Sequence, residues 1–212
     1  MNAWPEFTNN NNYTDIALDD INFINCSPAQ PLIDMPLDCD FEIDFCYYSK
    51  DKSSDFEWVR DKGSQFSFTG PIFDHTSGNG YFALMPSSSN PQNTKARFYS
   101  TLQTTRNEDK CLRFWYLMFG TDVDSLNVYL DQYDSSENST LVSRMLIWKK
   151  YGTSARRWYE VKKTFDSNKP WRITFEGVVG KSFLGDIAID DISAEKGVFY
   201  LLRIILKQIC LA

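Results

Sequence analysis

Through much of the chain, apolar and polar residues alternate with a period of two. Leu126, Val128 and Leu130 fall on one side of "SLNVYLDQY", and Ile173 and Phe175 on one side of "WRITFEGVV". Successive side chains of a strand point to opposite faces, so this spacing predicts half-buried strands and not helices. Similar segments follow at short intervals: "FEIDFCYY", "WVRDKGSQFSF", "GYFALMP", "ARFYSTL", "CLRFWYLMFG", "RMLIWKKY", "RWYEVKKTF" and "GDIAIDDI". About ten strands at this spacing predict an all-β protein, a sandwich or jelly roll. The segment "CLRFWYLMFG" is almost wholly apolar, as expected of a strand covered on both faces.

Two stretches interrupt the pattern. Pro28, Pro31 and Pro36 fix φ and remove ladder donors, which predicts a linker over residues 28–37. Ahead of it, "TDIALDDI" at 14–21 reappears almost unchanged as "GDIAIDDI" at 185–192. The repeat predicts that residues 1–27 are the C-terminal remnant of a preceding copy and that 38–196 form one full domain. Near the end, "VFYLLRIILKQICLA" is apolar but only fifteen residues long and is interrupted by Arg203 and Lys207. A bilayer span needs ~20 mostly apolar residues, so 197–212 read as an atypical tail from a truncated or alternative gene model.

Charge narrows the partners. The 22 Lys and Arg against 28 Asp and Glu leave a net −6, and the basic residues cluster only as pairs such as Lys149-Lys150. Nucleic acid, which needs a concentrated basic face, is not an expected partner. The start "NAWPEFTNNNN" lacks the basic and apolar regions of a secretory signal, which leaves a cytosolic protein or a missing N-terminus as the two readings. Cys26, Cys39, Cys46, Cys111 and Cys210 form no CxxC pair, which argues against zinc or thioredoxin chemistry. Glycosylation sequons stand at Asn12, Asn25 and Asn138, the last in a polar stretch expected to be a loop.

The candidate chemistry is sparse. His75, in "PIFDHTSGNGY", is the single histidine, and there is no GxSxG, so no catalytic residues are expected. In that loop Asp74 and Thr76 are expected to bond turn amides, with Gly78 and Gly80 supplying positive φ. In a regular strand Ile187, Ile189 and Asp191 share one face and Asp186, Ala188, Asp190 and Ile192 the other. Either face carries a carboxylate inward, which must meet a cation, an arginine such as Arg172, or amide donors. Calcium takes oxygen ligands, and Asp40, Glu42 and Asp74 offer more of them, although no EF-hand spacing groups them.

Taken together, these segments resemble the MAM domain, the extracellular module of meprins, neuropilins and receptor tyrosine phosphatases of the mu type. The matching residues are Cys39, Phe41, Glu42 and Cys46 in "CDFEIDFC", "DFEW" (55–58), and Pro71, Asp74, His75, Thr76, Gly80 and Tyr81 in "GPIFDHTSGNGYFA". They continue with Cys111, Phe114, Tyr116, Met118 and Gly120 in "CLRFWYLMFG", then "LNVYL", Trp148, Gly152, Trp158, "ITFEG" and "GDIAIDDI". The resemblance implies a jelly-roll β-sandwich of two antiparallel sheets and a secreted or membrane-anchored parent. It further implies a non-catalytic role in cell adhesion or receptor assembly, with other proteins, including a second copy, as partners. It pairs Cys39 with Cys46 and Cys111 with a cysteine just after the DDI strand. One structural Ca2+ is implied near the FE, DHT and DDI segments, at Glu42, Asp74 and Asp191, with Asp40 and Asp190 as alternatives.

One departure stands out. The two octapeptides are offset by 171 residues, Asp15 to Asp186, which projects Cys26 onto Gly197. The expected closing cysteine is absent there, leaving Cys111 to pair with Cys210, pair with another chain or stay free, and Cys26 with a partner in the missing upstream repeat. Two other functions compete: a lectin-like carbohydrate-binding jelly roll, and an accessory domain of a secreted metalloprotease. The latter requires an HExxH segment that this chain lacks.

Overall fold

A computed structural model describes residues 34–64, 66–136 and 139–196. The expectations for residues 1–27, most of the linker, Cys26, Cys210, Asn12, Asn25, Asn138 and the tail fall outside these residues.

The alternating segments form ten strands: β1 (Tyr48–Lys50), β2 (Val59–Asp61), β3 (Phe82–Met85), β4 (Lys95–Ser100), β5 (Lys110–Gly120), β6 (Val123–Tyr133), β7 (Leu141–Tyr151), β8 (Tyr159–Phe165), β9 (Trp171–Val179) and β10 (Gly185–Lys196). They pair antiparallel in two five-stranded sheets, ordered β1-β4-β9-β6-β7 and β2-β3-β10-β5-β8. The all-β sandwich is therefore the architecture of the described residues. Leu126, Val128 and Leu130 of β6 and Ile173 and Phe175 of β9 point inward and are buried, as their period of two requires.

Aromatic rings fill the space between the sheets. Phe98 stacks on Phe175 at 4.9 Å and meets Trp58 edge-on at 5.1 Å and Tyr48 at 5.6 Å. Trp58 is wholly buried and donates from its indole to the Ala96 carbonyl, so it is a core residue. β5 lies between β10 and β8; its inner face is buried, whereas on its outer face Leu117 is covered and Arg113 stays exposed. Phe114 and Met118 enter the main core, while Leu117 joins Phe82, Leu84 and Ala188 in a second cluster on the outside of the second sheet.

Two predicted strands take other forms. "FEIDFC" folds as a tight turn, because Phe41 and Cys46 take φ of 57° and 51° and the Cys39–Cys46 disulfide closes it, with Cα atoms 5.8 Å apart. Cys39 then bridges Ile192 with two backbone hydrogen bonds of 2.8 Å. In "WVRDKGSQFSF" only Val59–Asp61 pair in a sheet. Asp34, within the expected linker, accepts hydrogen bonds from the backbone and hydroxyl groups of Thr104 and Thr105. Leu37 is buried beside the Tyr48 hydroxyl, which donates to its carbonyl.

Candidate functional site

The acidic strand β10 works through a bulge. Its register with β5 shifts between Asp190 and Ser193, and Asp191 takes φ of 46°. The extra residue turns Ile192 into the core beside Ile187 and Ile189 and swings Asp191 out of it. The regular-strand grouping of Ile192 with Asp186 and Asp190 is thus overturned, because the bulge flips the alternation. None of these carboxylates uses Arg172, which lies in the other sheet between Tyr99 and Tyr133.

Their partners come from the loop between β2 and β3 and from Ser87, just after β3. Asp186 accepts from Thr69 Oγ1 at 2.6 Å and from the Ser87 amide at 3.0 Å. Asp190 accepts the His75 amide at 2.8 Å, and Asp191 accepts Thr76 Oγ1 at 2.9 Å. His75 Nδ1 stands 2.5 Å from the other Asp191 oxygen, and its ring stacks on Trp115 at 3.8 Å. From the turn before β8, Arg156 donates to the carbonyls of Ser67, Thr69 and Gly70, and Trp158 donates to that of Phe73. Together these bonds strap residues 66–80 against the outer apolar cluster.

Inside the loop Asp74 accepts the amides of Ser77 and Gly80. Burial disfavours its charge, but those amides outweigh burial and hold the carboxyl below its usual range. Thr76 departs from expectation by serving Asp191 instead of a turn amide. Gly78 has the expected positive φ of 80°, whereas Gly80 has an ordinary φ. Gly80 instead makes room for the Glu42 carboxylate, which a Cβ there would displace and whose Oε1 accepts the Tyr81 amide at 3.2 Å. Asp40 caps its own turn by accepting the Glu42 amide.

Asp190 is wholly buried, and burial, with the charges of Asp191 and Asp74, pushes its carboxyl up to about 7. Among the described residues no group of three or more His, Cys, Asp or Glu is arranged as a metal site. Beside this corner lies an open cleft of about 450 Å³ lined by Asp38, Asp40, His75, Arg113, Trp115 and Asp191. Arg113 there is ion-paired with Glu160. Cys111 is disulfide-bonded.

Alternation alone did not identify the surface that β7 presents. This strand closes one edge of the first sheet, with Leu141, Val142, Met145, Leu146 and Tyr151 between 41 and 68 % exposed. A signal was available in "LVSRMLIWKKY", which carries more apolar residues than one buried face needs.

The family model described as "MAM domain, meprin/A5/mu" matches residues 39–197. Human MAM domain-containing protein 2 is 34 % identical over 185 residues, covering 86 % of this chain and 26 % of that protein. Human neuropilin-1 is 34 % identical over 150 residues, covering 70 % of this chain and 15 % of that protein. The chain thus spans about a quarter or less of these relatives. Among solved structures, the K2 adhesin domain of Lys-gingipain superposes with a TM-score of 0.55 at 12 % identity, covering 76 % of this chain and 99 % of that one. The xylan-binding domain from Paenibacillus barcinonensis superposes with 0.50 at 8 % identity, covering 76 % and 92 %. At those identities the likeness is one of fold.

Proposed function

This chain belongs to the MAM family, and on that footing we propose that it is a non-catalytic extracellular module that binds other proteins in cell adhesion or receptor assembly. The observation that carries the reading is the exposed apolar edge of β7. An uncovered edge strand is a template for pairing, and a contiguous apolar patch marks an interaction surface. A second copy of the chain suits this edge. Antiparallel pairing about a two-fold axis at Leu146 sets Arg144 opposite Trp148 and Lys149 opposite Ser143, so no cation faces a cation. His75, the residue nearest to catalytic chemistry, is committed to Asp191 and Trp115 as part of the loop strap. The Cys39–Cys46 disulfide suits an oxidising, extracellular compartment. Beads coated with the chain are expected to cluster with one another. Beads that neither cluster nor adhere to cells contradict the proposal.

Calcium at Glu42, Asp74 and Asp191, with Asp40 and Asp190 at hand, belongs to the same reading. Its support is the charge gathered around the buried Asp190, and the all-oxygen donor set is of the chemistry calcium takes. A bound ion would offset that charge and brace the loop. The competing account is the hydrogen-bond strap, in which each carboxylate already accepts donors from the chain. Thermal melting with and without millimolar calcium separates them, since a ligand of the native state alone raises the midpoint. An unchanged midpoint leaves the strap as the whole account.

A further inference from the structure

We propose that one end of the sandwich is a bilayer-docking tip, with Phe66, Phe68 and Phe183 entering the headgroup boundary of an anionic phospholipid membrane. This surface and its lipid partner are separate from the protein-binding edge assigned to β7.

Two loops build the tip. Phe66 and Phe68 stand on the loop between β2 and β3, and Phe183 on the loop between β9 and β10. The Phe66 and Phe68 rings stack at 5.3 Å, and Phe66 meets Phe183 at 5.9 Å. Phe68 and Phe183 are nevertheless 54 and 51 % exposed, so the cluster forms at the surface and not in the core. Single exposed apolar residues are ordinary, whereas rings brought together from two loops and left uncovered mark an interaction surface.

The backbone carbonyls beneath these rings are satisfied from within the chain. Those of Ser67, Thr69 and Gly70 accept the Arg156 guanidinium, and that of Phe66 accepts the Thr69 amide at 3.2 Å. On the other loop the Phe183 carbonyl accepts the Ser87 hydroxyl at 2.7 Å, and the Leu184 carbonyl accepts the Asp122 amide at 3.1 Å. The neighbouring hydroxyls are engaged as well, Thr69 with Asp186 and Ser182 with Asp122. These loops thus turn hydrocarbon outward and hold their polar groups inward.

That combination fits a bilayer. A backbone carbonyl carried into lipid without its donor is heavily penalised, and here the donors travel with the loops. A glycan or a peptide takes its specificity from hydrogen bonds, and phenyl rings supply none. Charge agrees with the choice. The chain as a whole carries a net −6, yet in the loops that carry or hold the rings, 66–73, 121–122, 152–158 and 180–184, Arg156, Arg157 and Lys181 stand against one carboxylate, Asp122. Arg157 and Lys181 are exposed. Cations beside an apolar tip draw it to anionic headgroups.

Flotation of the full chain with lipid vesicles tests the tip. The probes are phosphatidylcholine vesicles and vesicles in which about a third of the lipid is phosphatidylserine, and the chain is expected to bind the latter at least about fivefold better. Phe68→Ser combined with Phe183→Ser, at a thermal midpoint matching the wild type, is expected to weaken that binding by about tenfold or more. Phe68→Ser alone serves if the double variant melts early. Lys181→Gln should cost about threefold or more. Ile43→Ser removes an 86 % exposed apolar side chain from the Cys39–Cys46 turn and should stay within about twofold, since the site is the tip and not general apolar surface. The proposal is overturned if neither vesicle binds the chain at millimolar lipid, or if phosphatidylcholine alone serves as well. Binding that survives in the folded phenylalanine variant also overturns it, as it would were charge alone or the apolar 197–212 segment responsible. It falls too if Ile43→Ser costs as much as the phenylalanine variant. Absence of vesicle binding together with lost clustering of beads coated with that variant would make the tip a protein interface instead.

Discussion

Gly177 shows how single residues set the sandwich. It sits inside β9, and a Cβ there would strike the Met85 sulfur and crowd Trp58. Overpacking a core of this kind costs about 1–3 kcal/mol, so Gly177→Ala is expected to lower the unfolding free energy by that amount. Chemical denaturation measures it, and an unchanged midpoint would show that Met85 simply yields. The Cys39–Cys46 disulfide closes a loop with a sequence separation of seven. Chain-entropy arithmetic for so short a loop gives about 2.5 kcal/mol, the loss expected in the Cys39→Ala, Cys46→Ala double variant. A loss well under 1 kcal/mol would mean that the backbone bridge to Ile192 holds the turn by itself. At this scale the sequence was readable where alternation decides: Ile173 and Phe175 are buried together as their spacing says. Gly80 was misread as a positive-φ residue, since only the fold brings Glu42, distant in sequence, against it.

At the scale of elements, β10 marks the boundary of what was legible. Its acidic composition announced that carboxylates would need partners. Which partners they found depended on a bulge with no sequence signature, because Asp191 rather than glycine takes the positive φ. Long-range pairing likewise decided that the loop, and not Arg172, would meet them. The outer lattice of the first sheet carries a prediction of its own. Burial raises the Glu176 carboxyl, but Arg97 and Asn127 outweigh it and hold the group below its ordinary 4.5. A depressed carboxyl contributes stability above its unfolded value and loses it as pH falls through the folded value. The stability gap between the wild type and Glu176→Gln should therefore narrow between pH 6 and pH 3, as followed by denaturation at each pH. A constant gap would show that the Arg97 pair is too screened to matter.

The whole molecule combines a rigid core with surfaces that the core leaves uncommitted. The rings of Phe41, Trp58 and Phe175 pack around the wholly buried Phe98, so Phe98→Ala is expected to cost about 3–5 kcal/mol, within reach of unfolding a domain of ordinary stability. Loss of cooperative unfolding, or of the midpoint altogether, checks it. The fold class was legible because a period of two over ten segments leaves few alternatives. The exposed apolar edge of β7 was not, because an apolar residue reads the same in sequence whether it faces a core or solvent. The most direct measurement is clustering of beads coated with a Val142→Asp, Leu146→Asp variant whose thermal midpoint matches the wild type. Pairing along β7 predicts that clustering falls at least about fivefold, as expected when charges enter an apolar interface. Clustering at the wild-type level in that folded variant would contradict the assignment of β7 as the adhesive edge.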